Sequence, residues 1–106
     1  ISESVISMHK LVLDEHNIPL TIALDIPGSN NFQGEKLFQE MDALSQHLQA
    51  YAKSEQRTTF APFPFPYAKG EKWSLDGIHC SERGYKQLGE LLAPVVEQSL
   101  QDAGLW

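Results

Sequence analysis

An aspartate three residues ahead of a histidine, in Asp76-Gly77-Ile78-His79, is the pattern in this chain best suited to chemistry. Across a turn kept compact by Gly77, the carboxylate can accept a hydrogen bond from one imidazole nitrogen and leave the other facing a crevice. That arrangement makes the imidazole a general base. Five Asp and four His in 106 residues give a bare Asp-x-x-His by chance in roughly one such chain in five, so the surroundings of the pair carry the reading. They are Trp73-Ser74-Leu75 before it and Cys80-Ser81-Glu82-Arg83-Gly84-Tyr85 after it, a segment that closes a long loop and enters the last helix.

The elements that must position this segment are legible from periodicity. Val5, Met8, Leu11 and Val12 fall at helical spacing and predict a first helix from Ser2 to about His16, stopped by Asn17 and Pro19. Leu20 to Ile26 is a short apolar run with β-branched members, which reads as a parallel strand covered on both faces. Pro27-Gly28-Ser29-Asn30-Asn31 marks a loop at its carboxyl end. Leu37, Met41, Leu44, Leu48 and Tyr51 then repeat at four and three, with charged and amide residues between them, and predict a second helix. Thr58 to Ala61 reads as a second strand, ended by Pro62, Pro64 and Pro66, and a long loop runs from about Pro62 to Cys80. Ser81 is suited to cap a last helix with Leu88, Leu91, Leu92, Val95, Val96 and Leu100 on its apolar face and Gly104 as its stop. Pro94 inside that helix should kink it or leave a carbonyl unpaired. Helix, strand, helix, strand, helix is a βαβ unit flanked by helices, for which a right-handed crossover is expected. In such open sheets the loops beyond the carboxyl ends of the strands form the ligand crevice, and Asp76 and His79 belong to one of them.

Bulk properties narrow the partners. A net charge of −6 with eight Lys and Arg provides no basic stripe for a phosphate backbone or an anionic membrane, so neither nucleic acid nor a membrane surface is an expected partner. No run approaches the roughly 18 apolar residues of a membrane span. Cys80 is the one cysteine, which allows neither an intrachain disulfide nor a thiolate zinc site, and no cofactor is implied. The chain opens on Ile1 rather than Met, which reads as a piece of a longer chain.

Asp76-Gly77-Ile78-His79, followed by Gly84-Tyr85 and an amphipathic C-terminal helix, resembles the final block of SGNH (GDSL-type) hydrolases, in which Asp-x-x-His precedes a helix containing Gly-Tyr. The order of elements upstream is similar over essentially all 106 residues. The resemblance implies a partial flavodoxin-like three-layer αβα fold with parallel strands, the C-terminal part of one SGNH domain. It implies that His79 takes a proton from a serine while Asp76 holds the imidazole in the right tautomer, so that an acyl or acetyl ester passes its acyl group to serine and then to water without a metal. The Gly-Asp-Ser nucleophile motif, the oxyanion-hole glycine and the Gly-x-Asn-Asp motif occur nowhere in this sequence. They should precede Ile1, and the isolated chain is expected to be inactive. SGNH domains fused to membrane acyltransferases handle acetyl groups on cell-surface sugars, so hydrolysis and acyl transfer both stay open.

Other residues invite plainer readings. Asp76 as a turn cap and His79 as an exposed loop residue would make this a non-catalytic α/β module that acts through association with a missing N-terminal half. His9 and His16 could share a helix face, as surface polar groups rather than a metal pair, and His47 should be exposed. Ser29, Ser74 and Ser81 stand in loop or cap settings, outside any nucleophile motif. Asp25 could line a pocket or cap its strand. Phe60, Phe63, Phe65, Tyr67 and Trp73 could line an acyl or sugar pocket or pack the loop on the sheet. Cys80 is expected to be a structural thiol. Two strands that need covering on both faces should not make a well-behaved monomer, so the missing half or a homo-oligomer is the expected partner.

Overall fold

The computed structural model describes residues 1–26, 35–65, 72, 74 and 79–106. Five elements follow in order: α1 (Ser2–Asp14), β1 (Thr21–Leu24), α2 (Glu35–Ser54), β2 (Thr58–Ala61) and α3 (Glu82–Asp102). β1 and β2 pair in parallel with Thr21 opposite Thr58 and Leu24 opposite Ala61, so α2 is the crossover of a βαβ unit. The expected α/β fold with parallel strands is therefore present, as two strands and three helices among the described residues. The loop expected at 27–31 and much of the loop from Pro66 onward lie outside the described residues, as does the side chain of Leu37.

Alternation along the strands decides which side chains meet the helices. Ala23 and its partner Phe60 point to the same face, where Ala23, Leu44 and Leu48 form the core and Val5, Ile6, Ile26 and Phe60 pack against it. Both α1 and α2 thus cover one face of the sheet. The helical spacing predicted for α2 is met by buried Leu44, Leu48 and Tyr51 with half-buried Met41.

In α1 the buried stripe differs from the predicted one. Met8 and Leu11 are exposed, while Leu13 is buried and Val5, Ile6, His9 and Val12 are half-buried. The helix is rotated so that polar His9 lies in the middle of the inward stripe. Nδ1 of His9 lies 2.8 Å from Thr21 Oγ1, which lies 2.9 Å from Thr58 Oγ1, so a polar chain runs from α1 across the first residues of both strands. A hydrophobic periodicity read without partners for His9 picks the phase through Met8 instead. α1 ends two residues earlier than expected, with Asn17 in the left-handed region at φ 54° and the Ile18 N–H donating to the Val12 carbonyl.

β1 is also shorter than the predicted run, and of its four residues only Ala23 is buried. Coverage on both faces is met in β2, where Thr58 and Ala61 point to opposite faces and are both buried, and is not met in β1 among the described residues. α3 runs through Pro94 to Asp102. Pro94 cannot donate to the Glu90 carbonyl, which therefore lacks its usual helical donor. Gly104 ends the helix as predicted: at φ 73° it donates to the Gln101 carbonyl while the Leu105 N–H donates to Leu100, the two bonds of a Schellman cap.

Candidate active site

The described residues around the predicted site form a backbone clasp at the entrance to α3. The Ser74 N–H and Oγ both donate to the His79 carbonyl, at 2.8 and 3.0 Å. Two residues further on, the Ser81 N–H donates to the Lys72 carbonyl at 2.9 Å. Ser81 then caps the helix, its Oγ accepting from the Gly84 N–H at 3.1 Å, with Glu82 placed favourably in the positive first turn. His79 is thereby fixed two residues before a capped helix by bonds to its own main chain, and its side chain is exposed.

Gly84 makes the clasp possible. A Cβ at this buried position would stand 1.8 Å from the Lys72 carbonyl oxygen and 2.8 Å from its carbon, so only glycine lets the first turn of α3 lie against the Lys72 backbone. Lys72 is held from its other end as well, with Nζ 5.1 Å from the centre of the Phe65 ring. Phe65 is buried and meets Phe63 edge to face at 5.1 Å. A continuous path therefore leads from the carboxyl end of β2 through the buried Phe65 to Lys72, α3 and His79.

Asp76 lies outside the described residues, as do Ser29, Tyr67 and Trp73. Of the predicted pair, the structure describes His79 alone. Ser81 is the cap expected of it, and Ser74 closes the clasp. Phe60 packs on the core and Phe65 is buried, in keeping with loop packing. Asp25 caps its own strand, its Oδ1 accepting from the Ile26 N–H at 2.9 Å. Cys80 is half-buried, and desolvation raises its thiol pKa, which disfavours the nucleophilic thiolate. His16 is exposed, and exposed His47 ties α2 to the start of α1 through Nδ1, 2.8 Å from Ser2 Oγ. Among the described residues no three His, Cys, Asp or Glu side chains are grouped to hold a metal, and no helix is long and apolar enough to cross a membrane.

The loop role expected of Ser74 is borne by its N–H and its Oγ together, whereas the part played by Lys72 was not legible in the sequence because its carbonyl, a main-chain group, receives the Ser81 N–H. A signal was available in Gly84, a glycine in a helical first turn. A hollow lined by Ser81, Glu82, Arg83 and Lys86 adjoins the cap and places two cationic side chains beside the His79 segment. The strongest ionic cluster among the described residues is at the opposite end of the sheet. There Arg57 bonds Glu55 Oε1 and Asp14 Oδ1, each at 2.8 Å, and also reaches the Leu13 carbonyl. The guanidinium hydrogen bond holds the Glu55 carboxyl down at about 2. This cluster joins the ends of α1 and α2 and has no part in the site.

No family model matches the chain, and neither does any curated protein. A solved structure from Streptococcus pneumonia, whose assignment as a platelet activating factor is itself provisional, is similar in fold with a TM-score of 0.68 at 15% identity. The match covers 90% of this chain and 50% of that one, so the chain spans about half the length of the structure it matches.

Proposed function

We propose that this chain is the acid–base half of a carboxylic-ester hydrolase of the SGNH type, with His79 as general base and Asp76 as the carboxylate that orients it. The observation that carries this reading is the clasp: an imidazole left exposed on a main chain tied at Ser74, Lys72 and Ser81, in the connection beyond the carboxyl end of β2. A general base needs such a fixed main chain, because a misplacement of about 1 Å can cost two orders of magnitude in rate. Chain connectivity alone limits the separation of the Asp76 and His79 Cα atoms to about 10 Å, and the tie between Ser74 and His79 draws together the ends of the segment that contains Asp76.

His79 would accept the proton of a serine hydroxyl as the oxygen attacks the ester carbonyl, and return it to the leaving alcohol. A second cycle with water would release the acid. The serine and the oxyanion donors would come from another segment. An acyl or acetyl ester is the proposed substrate class, and the name of the structural neighbour, which refers to platelet activating factor, supports ester chemistry.

The test is hydrolysis of a short-chain chromogenic ester by the longer parent chain. His79→Ala should reduce kcat by about three to four orders of magnitude, and Asp76→Asn by somewhat less. Unchanged turnover in both variants would sink the proposal.

A further inference from the structure

The chain is more extended and more exposed than a compact domain of its length. The Cα radius of gyration is 15.1 Å, against about 13 Å for a compact domain of 106 residues. The accessible surface is 7383 Å², about 1,500 Å² more than the roughly 5,900 Å² expected of a compact protein of this mass. Among the described residues no large side chain is fully buried. The excess is well above the ~800 Å² that each partner buries in an ordinary interface and falls in the range of obligate ones.

The excess has an address. The Thr21 N–H donates to the Arg57 carbonyl just ahead of β2 and the Asp25 N–H to the Ala61 carbonyl within it, so the N–H and C=O groups of Ile22 and Leu24 point to the other edge of β1, which has no strand beside it among the described residues. Both side chains are half-buried. α3 is amphipathic, yet its only buried residues are Gly84 and Ser99. Leu92, Ala93, Val96, Leu100 and Trp106, with Glu97 among them, line a largely apolar groove along it, where Gly89 faces open space.

We infer that the free edge of β1 and the apolar groove of α3 together receive a second α/β segment of about this chain's own length, which adds a parallel strand beside β1 and lays a helix into the groove. A parallel strand suits this sheet, because parallel sheets occur with both faces covered by helices and an unprotected strand edge templates pairing with another strand. The length follows from the missing area and from the matched fold, of which this chain fills 50%. A second copy of the chain fits less well, since a twofold axis at the β1 edge would set the two β1 strands antiparallel. The inference rests on the proposed function for one property only, that the incoming segment also carries the nucleophile.

The experiment is titration of the 106-residue chain with the separately expressed stretch of the parent chain that precedes Ile1, read by sedimentation, by hydrogen exchange at Ile22 and Leu24, and by ester turnover. A one-to-one complex that protects both amides about 100-fold is expected. Leu24→Pro, which removes an outward N–H and leaves the bonds to β2 in place, should weaken binding by about 10- to 100-fold. Leu92→Asp, on the groove face of the helix, should weaken it by at least about 10-fold without changing the circular dichroism of the chain alone. The inference is overturned if both amides are already protected in a solitary monomer, if a homodimer protects them, if the complex leaves them unprotected, or if Leu92→Asp binds normally. A complex that protects the amides but lacks turnover would preserve the docking surface and refute the esterase reading.

Discussion

Replacing Gly84 with alanine should destabilise α3, against the ordinary preference for alanine in helices. On propensity alone the change would stabilise by about 1 kcal/mol. The added Cβ, however, meets the Lys72 carbonyl oxygen at 1.8 Å, and the atoms in its way are main chain rather than the end of a flexible side chain. Lys72 must retreat by about 1.2 Å merely to reach 3.0 Å, which strains the 2.9 Å bond from the Ser81 N–H. Overpacking of this kind costs about 1–3 kcal/mol and the lost hydrogen bond about 1 kcal/mol, so the net effect is a loss of about 2 kcal/mol. Gly89, in the same helix, has nothing within 4 Å of the point where a Cβ would stand and serves as the control. Gly89→Ala should stabilise the isolated chain by about 1 kcal/mol. Urea denaturation followed by far-ultraviolet circular dichroism would separate the two variants by about 3 kcal/mol. If Gly84→Ala proves as stable as Gly89→Ala, the close approach of α3 to Lys72, and with it the clasp that holds His79, is wrong.

Tyr51→Phe should leave stability unchanged or raise it by up to about 1 kcal/mol, because the Tyr51 hydroxyl is buried with no hydrogen-bond partner among the described residues; a loss above about 1 kcal/mol in urea would reveal a partner. Leu48→Ala, in the core between α2 and the sheet, should cost about 2–4 kcal/mol in the same assay. His9 is held below its ordinary pKa of 6.5 by desolvation, so the fold favours its neutral form. The unfolded chain then binds the proton more readily, and the stability that neutral His9 contributes is present above pH 6.5 and lost as pH falls through the lower folded value. Melts between about pH 5 and 8 should show this loss in the parent and not in His9→Leu; identical slopes would rule His9 out.

Much of the architecture was legible because it follows from local rules. The Leu44, Leu48 and Tyr51 repeat, the proline stop after Ala61, the Ser81 cap and the Gly104 stop each depend on residues within a turn or two of one another, and each appears where periodicity and capping chemistry put it. The position of His79 just ahead of the last helix is of the same kind. What local rules could not supply was the rotation of α1, because whether His9 points inward depends on Thr21, twelve residues away in sequence. Nor could they supply the partners of main-chain groups. The clasp at His79 is made by the carbonyls of Lys72 and His79, whose side chains reveal nothing about it, and Gly84 registers it only as a missing Cβ. The sequence by itself determined which elements form and where an imidazole base could stand. Only the tertiary structure decided which helix face turns inward, what anchors the loop, and which edge of β1 meets β2, since these depend on contacts between segments far apart in the chain.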